Sequence, residues 1–554
     1  MTMAGPVRGY ERVEAALVGA GAASLYLGTL ARNMGAAHDS IFYMSLVDRH
    51  ATFFHPHHLL AHWAAHGWCD LWQRVLPDVE TMLLVESLNA IAGGAAIGIF
   101  YLILRMRLRL DPVSALLGSL LPALSFGVWF YSTAIEVYII PIAFLLMALY
   151  VLTAEMLTLR SFVAAGVTCG LAVLFHQAYA LFLPAVILAA TARRRTERPG
   201  TIGALAAYAV TSGVLVAVPY AIVIYGVLGL RNSGEIGRWI TQYAHEGFWL
   251  PPGVSTLVHP VVGFARSIVG LHFLMGGTFQ SAIRRVFPSK WLDDEAFLVR
   301  DVPPLLGYVL LALSIFAAML CVWLVARRWR AIRPTFERVR PTIIVTLGWL
   351  IPFSTFFVFW EPSNVEFWIP QSICVWLLAI ALWAEPREGR AALPLAPVAV
   401  LASALAVTNY FGSIRGLTSQ EHDYNYMKIR PVVEQATEQD LVVIGPSWLT
   451  DLYMARYSRA RCVASIQMDP GAEPRPALLI KIRESMAATL RRGGRIFLSA
   501  DAVYLSREAQ RWVGADDPGA AVWKEYEGRW RSVSNGVGTY YLIEPASSNP
   551  TLGH

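Results

Sequence analysis

The chain has 554 residues, of which 56% are hydrophobic and 15% charged, with a net charge of +6; soluble domains carry roughly a quarter charged residues. The charge is uneven, with 51 charged residues among the first 412 and 33 among the remaining 142. This excludes a purely soluble enzyme, a disordered chain and a single-span receptor. It predicts a mainly α fold, a polytopic transmembrane helical bundle over residues 1–412, followed by a small α/β domain over 413–554. The basic excess sits in short Arg-rich turns rather than on one face, so nucleic acid is not an expected partner. Five cysteines (Cys69, Cys169, Cys321, Cys374 and Cys462) form no CxxC pair, and define neither a disulfide framework nor a zinc ribbon.

A bilayer core of about 30 Å needs about 20 apolar helical residues. Eleven stretches meet or approach that length: 12–30, 81–104, 113–131, 135–157, 161–176, 178–192, 202–229, 304–326, 341–360, 367–384 and 392–412. The first reads as an uncleaved span rather than a signal peptide. Basic turns recur at alternate junctions: Arg105-Met-Arg107-Leu-Arg109, Arg160, the run 193–198, Arg327 through Arg340, and Arg387 with Arg390, together with Arg8 and Arg12 before the first span. The positive-inside bias puts these turns and the N-terminus in the cytoplasm, and an odd span count puts the tail outside. The predicted location is the cell membrane.

The first outside loop, 33–80, opens with Asp39 in Ala-Ala-His38-Asp39-Ser40 and holds seven of the 13 histidines. A carboxylate at the membrane surface can act as a general base toward a hydroxyl; by position alone, a solvated loop acid is the plainer reading. His55-Pro56-His57-His58 follows. His58, His62, His66 and Asp70 then fall four apart, which predicts one stripe of a helix lying flat at the interface, with Trp63 and Trp68 at its sides. Zinc ligation, hydrogen-bond donation to a phosphate and a bare wet face all suit this stripe. No second ligand cluster completes a metal site.

Glu136 lies in the outer turn after the third span, His176 in the turn after the fifth, and Glu361-Pro-Ser-Asn364-Val-Glu366 at the outer end of the ninth. Polar groups this deep in apolar sequence face a cavity or one another, with plain interhelical hydrogen bonding as the alternative. All fall at the membrane face of Asp39. The second long outside loop, 231–303, holds Val254–Phe279, an apolar stretch broken by Pro260, Arg266 and His272. Counting it as a span would reverse the parity, so it is expected to lie in or dip into the interface. Arg284 and Arg285, with Lys290 beyond, are candidate clamps for a lipid phosphate, or anchors to headgroups.

In the tail, helices near 428–439, 449–457 and 477–492 alternate with the apolar strands 441–444, 462–466, 495–499 and 539–543, which predicts a small parallel sheet. No Gly-rich phosphate fingerprint follows any strand.

An acidic residue opening the first outside loop, ten or more spans, and active groups on the outer face resemble the GT-C membrane glycosyltransferases. Several strings are similar to a bacterial family related to protein O-mannosyltransferases: Asp39-Ser40 with His55-Pro56, Trp129-Phe130 with Glu136-Val-Tyr138, Gly170 through His176, and His422-Asp423-Tyr424-Asn425-Tyr426 leading to Leu441–Gly445. The chain departs from that family after His55-Pro56, where His57-His58-Leu59-Leu60 replaces the usual Pro-Gly-Tyr-Pro.

The resemblance implies transfer of a hexose or pentose, with inversion, from a polyprenyl-phosphate donor to an acceptor hydroxyl of a glycan, lipid or protein. Asp39 would be the base. His55, His57, His58, Arg284 and Arg285 would meet the donor phosphate; Glu136, His176, Glu361 and Asn364 would line the sugar and acceptor cavity. It implies no cofactor and no metal. The rival reading is a transporter or flippase of lipid-linked sugars, but the chain has no internal repeat, no pair of broken helices and no charge near span midpoints. A ligand sensor anchored by its spans would not need eleven of them.

Overall fold

The computed structural model describes residues 9–49, 54–192, 200–242, 247–286, 292–387, 390–466, 475–506, 510 and 519–545. It divides into two compact units. The first comprises Met1–Arg32, Leu46–Ser289 and Val299–Thr418; the second comprises Asn33–Ser45, Lys290–Leu298 and Ser419–His554. The boundary near the C-terminal end therefore falls at 418/419, and two segments of the long loops group with the tail. The basic run 193–198 and Lys290 lie outside the described residues.

The first unit is helical. Six helical stretches among the described residues are long and apolar enough to cross a membrane: Thr81–Met106, Thr201–Val227, Pro304–Arg338, Arg340–Phe357, Val365–Trp383 and Leu395–Leu417. Four shorter apolar helical stretches accompany them: Pro112–Leu124, Ile139–Leu152, Leu159–Phe175 and Gln177–Thr191, as does the 19-residue helix Gly9–Leu27. Thus the eleven expected segments carry helix, and one of them is broken. Residues 113–131 split at Ser125, whose backbone is extended (φ −67°, ψ 137°). The break is held by polar side chains: Trp376 donates to Ser125 Oγ (2.9 Å), and Asn409 donates to the carbonyls of Leu124 (2.7 Å) and Ile268 (2.9 Å). The 14-residue helix Ser255–Ile268 extends about 21 Å at 1.5 Å per residue, too short to cross the hydrocarbon core.

Helix Gly9–Leu27 packs closely on Thr81–Met106 through small residues, and a Cβ at Gly94 would lie 2.6 Å from both Ala23 Cβ and the Gly19 carbonyl oxygen; such contacts let helix backbones approach in lipid. The arginines of the basic turns occupy the carbonyl ends of helices. Arg107 donates to the Tyr150 carbonyl (2.8 Å), Arg338 to that of Ala381 (3.1 Å) and Arg328 to that of Ala384 (3.3 Å), each supplying a donor to an orphan carbonyl. Val210, Val214 and Ile222, on the helix that follows residue 200, are exposed, as suits a surface covered by lipid.

The strands Glu385–Arg387 (β1) and Arg390–Ala392 (β2) pair antiparallel in this unit. The second unit contains Leu441–Ile444 (β3), Arg461–Ala464 (β4), Ile496–Ser499 (β5), Trp530–Ser534 (β6) and Thr539–Ile543 (β7), in the order β4-β3-β5-β7-β6. The expected parallel sheet is corrected to a mixed one. β3 runs parallel to β4 and β5, where helices Trp448–Tyr457 and Arg475–Arg491 make the crossovers, whereas β7 runs antiparallel to β5 and to β6, to which a tight turn joins it. β3 and β5 are buried along their whole length, as central parallel strands are. They pack on Leu478, Ile482, Met486 and Trp523.

Candidate active site

In the first unit, residues 131–139 are all buried, and this turn carries Glu136 between two tyrosines. Asn89 holds it, donating to the carbonyls of Ala134 (2.7 Å) and Glu136 (2.7 Å). Tyr131 donates its hydroxyl to Glu366 Oε2, and Tyr138 donates to Glu366 Oε1 (3.4 Å). Glu136 and Arg266 are further electrostatic neighbours of the Tyr131 hydroxyl. His176 lies at the end of helix Leu159–Phe175, in extended backbone, and its Nδ1 accepts from the Ala178 amide (3.2 Å). This cap ends one helix and starts the next, which is why the apolar run breaks there. Tyr138, His176, Tyr179, Phe353, Phe357, Glu366 and Phe367 line a narrow hollow with room for about one water molecule. Its aromatic walls, one carboxylate and one imidazole are the side-chain types that meet the faces and hydroxyls of sugars, but the space is too small for a sugar ring as it stands.

The structure therefore groups His176 with Glu366, which sequence reasoning quoted but gave no role, whereas Glu136 does not line the hollow and neighbours Glu366 through Tyr131. Glu361 and Asn364 do not line this hollow. They form the turn before it, where Asn364 donates its amide to the Glu361 carbonyl (3.0 Å) and Glu361 donates its own to Phe248 (3.2 Å); Glu361 adopts positive φ (39°). The signal that separates the residues is helical phase. Glu366 sits inside the 3₁₀ turn Val365–Trp368, between buried Val365 and Phe367.

The histidine stripe is also corrected. His58 belongs to a 3₁₀ turn, Pro56–His58, and the α-helix begins only at Ala61, so the four-residue spacing from His58 to His62 does not follow one helical face. His62 is buried, whereas Trp63 is exposed. The imidazoles cluster instead: ring centroids are 5.3 Å apart for His55–His58 and 4.7 Å for His58–His176. Among the described residues, no group of three or more His, Cys, Asp or Glu side chains is arranged to hold a metal ion. Burial, with the neighbouring His57 and His62, pushes His55 down to about 3; burial takes His57 and His62 to about 4 and His58 well below its ordinary value. These rings are therefore neutral at physiological pH. They offer single N–H donors to an anion rather than positive charge. Arg284, half-buried, and Arg285, exposed, lie on the short helix Gln280–Val286.

Asp39 belongs to the second unit and opens the helix Asp39–Asp48. Its side chain reaches solvent, yet the crowding of surrounding protein raises its proton affinity, opposed by the hydrogen bond from Tyr43 and by His38. Tyr43 Oη donates to Oδ2 at 3.3 Å, and His38 Nε2 pairs with Asp294 at 3.8 Å. A general base works only when ionised, so activity that depends on Asp39 falls as pH drops through its pKa. Tyr43→Phe removes a bond that favours the ionised form. It is expected to move the acid limb of the pH–rate profile to higher pH with the plateau retained; an unmoved limb separates Asp39 from the rate.

The fold and these buried turns define a helical membrane architecture with polar side chains gathered where helices break. No family model matches the chain, and no curated protein matches it in sequence. Among solved structures, 96% of the chain aligns with 98% of ArnT from Cupriavidus metallidurans bound to undecaprenyl phosphate, at 11% identity and a TM-score of 0.52. The apo state of the same protein aligns over 95% of this chain and 97% of its own, at 12% identity and a TM-score of 0.53. At such identity the likeness establishes a shared fold and nothing beyond it.

Proposed function

We propose that the chain is an integral membrane glycosyltransferase that moves a sugar from a polyprenyl-phosphate donor to an acceptor hydroxyl outside the cytoplasm. Within GT-C, its motifs favour the bacterial family related to protein O-mannosyltransferases. The acceptor oxygen forms its bond to the anomeric carbon while the bond from that carbon to the donor phosphate oxygen breaks. The acceptor's proton passes to Asp39, polyprenyl phosphate leaves with the electron pair, and the anomeric centre inverts. The transition state has oxocarbenium character, so growing charge on the leaving phosphate calls for preorganised donors. His55, His57 and His58 supply neutral N–H groups, and Arg284 and Arg285 supply charge. Glu136, His176 and Glu366 hold sugar hydroxyls, with Glu361 and Asn364 shaping the turn beside them.

The observation that carries this reading is Asp39 itself: a loop carboxylate whose proton affinity is raised by its surroundings, in a chain with the fold of ArnT, a protein solved with undecaprenyl phosphate bound. The test is incubation of the purified protein with labelled polyprenyl-phosphate hexoses and pentoses. Release of polyprenyl phosphate is expected with one of them, and no release with any overturns the proposal. Release is expected to survive a chelator, because no metal enters the reaction; loss restored by zinc would reverse that point. The orientation has its own test. Ser534 is exposed on β6, and the five native cysteines are buried or half-buried. A cysteine placed at Ser534 is expected to react with an impermeant maleimide in intact cells; protection there would put the tail in the cytoplasm.

A further inference from the structure

Asp423 is fully buried in the second unit, and its two carboxylate oxygens have different tasks. Oδ1 caps the helix Tyr424–Val433, accepting from the amides of Asn425 (3.0 Å) and Tyr426 (3.1 Å). Oδ2 accepts from the Gly35 amide (3.3 Å) and from the Tyr453 hydroxyl (2.5 Å). Gly35 lies four residues before Asp39. A Cβ there would meet Asn425 Nδ2 at 2.8 Å, Asp423 Oδ1 at 2.9 Å and the Tyr453 hydroxyl at 3.3 Å, so the loop backbone is pressed directly against the clasp. Asn33 adds a second tie, donating to the His422 carbonyl (2.9 Å) while its Oδ1 accepts from the Ala36 amide (3.1 Å). The residues following the clasp, Met34, Ala37, Ile41 and Met44, are buried. Burial pushes Asp423 up to about 6. The group is therefore mostly ionised at neutral pH, and bonds from four donors to a carboxylate are the strong, charge-assisted kind.

We infer that Asp423 and Tyr453 are positioning residues that clasp the loop 33–38 and thereby fix the direction from which Asp39 addresses its substrate. This assigns the tail domain a role in the reaction and rests on Asp39 being the base. A tail that merely capped the chain would have no need of a buried carboxylate with one oxygen committed to residue 35. Asparagine is a good helix cap, so Asp423→Asn keeps the bond at Oδ1 while replacing the acceptor at Oδ2 with a donor. Tyr453→Phe removes one hydroxyl and leaves the packing.

The experiment is hydrogen–deuterium exchange on the full-length protein and both variants, with transfer kinetics run alongside. Amides of 33–45 are expected to exchange about tenfold faster or more in both variants, as for loss of a buried bond to a charged group, while the β3 and β5 amides keep their protection. In the kinetics, kcat is expected to fall with KM little changed. Unchanged exchange over 33–45 in both variants overturns the inference, as does an equal rise over β3 and β5 in Tyr453→Phe, which would mark general loosening. So does faster loop exchange with unaltered kcat. If the wild-type protein transfers no sugar, the proposed function fails, and the exchange data still decide whether the clasp exists.

Discussion

Replacing Asp39 with asparagine is expected to reduce sugar transfer by roughly 10²- to 10⁴-fold, the range that a positioned general base contributes. Expression and the protection of the tail strands should be unchanged. Asparagine is tolerated at a helix start, and the side chain reaches solvent, so little of the fold depends on its charge. The substitution removes the proton acceptor while keeping an oxygen within reach of Tyr43, which donates to Oδ2 at 3.3 Å in the native protein. KM should change less than kcat, because the proton moves only as the new bond forms. Full turnover of the variant would remove Asp39 from the chemistry.

Gly263→Val is expected to cost stability and to lower transfer by about 10²-fold, as displacement of reacting groups by an ångström can. A Cβ at this position would lie 2.3 Å from the Pro362 carbonyl oxygen and 2.6 Å from Trp368 Nε1. Those two atoms are themselves bonded, Trp368 donating to Pro362 at 2.8 Å, and they bracket Glu366 in the chain. Overpacking costs about 1–3 kcal/mol, and orphaning the buried indole N–H costs about as much again. Gly253 provides the control, since nothing lies within 4 Å of a Cβ there; Gly253→Val should be nearly silent. Equal thermal midpoints and rates for the two variants would show that the 361–368 turn does not need helix Ser255–Ile268 where it sits.

Much of the architecture is written in hydropathy, since each expected span carries helix. What hydropathy leaves out is where those helices break. Residues 113–131 read as one unbroken apolar run, yet the chain opens at Ser125, where the distant Asn409 satisfies the freed backbone. Such a partner lies far away in sequence and leaves no local signature. In the tail, β3, β5 and β7 stand out as short apolar runs, whereas Trp530-Arg-Ser-Val-Ser534 is mostly exposed and polar, so β6 is legible only from its pairing with β7. The candidate site divides in the same way. Glu136 and His176 announce themselves as polar residues amid apolar sequence. Choosing Glu366 over Glu361 required the phase of a 3₁₀ turn, and the histidine stripe failed because the chain around His58 winds three residues per turn rather than 3.6.

The composition of the second unit has a consequence for how the protein is made. It gathers Asn33–Ser45, Lys290–Leu298 and Ser419–His554, pieces that leave the ribosome far apart in time. Synthesis runs at about 5–20 residues per second, so the segment bearing Asp39 waits tens of seconds for the strands that complete its unit. Throughout that interval Gly35 has no Asp423 to hold it. Termination between residues 418 and 422 would therefore leave a chain with every long apolar helical stretch of the described residues and an unanchored Asp39, a product that quality control could recognise by its loose N-terminal loop rather than by any defect in the bundle.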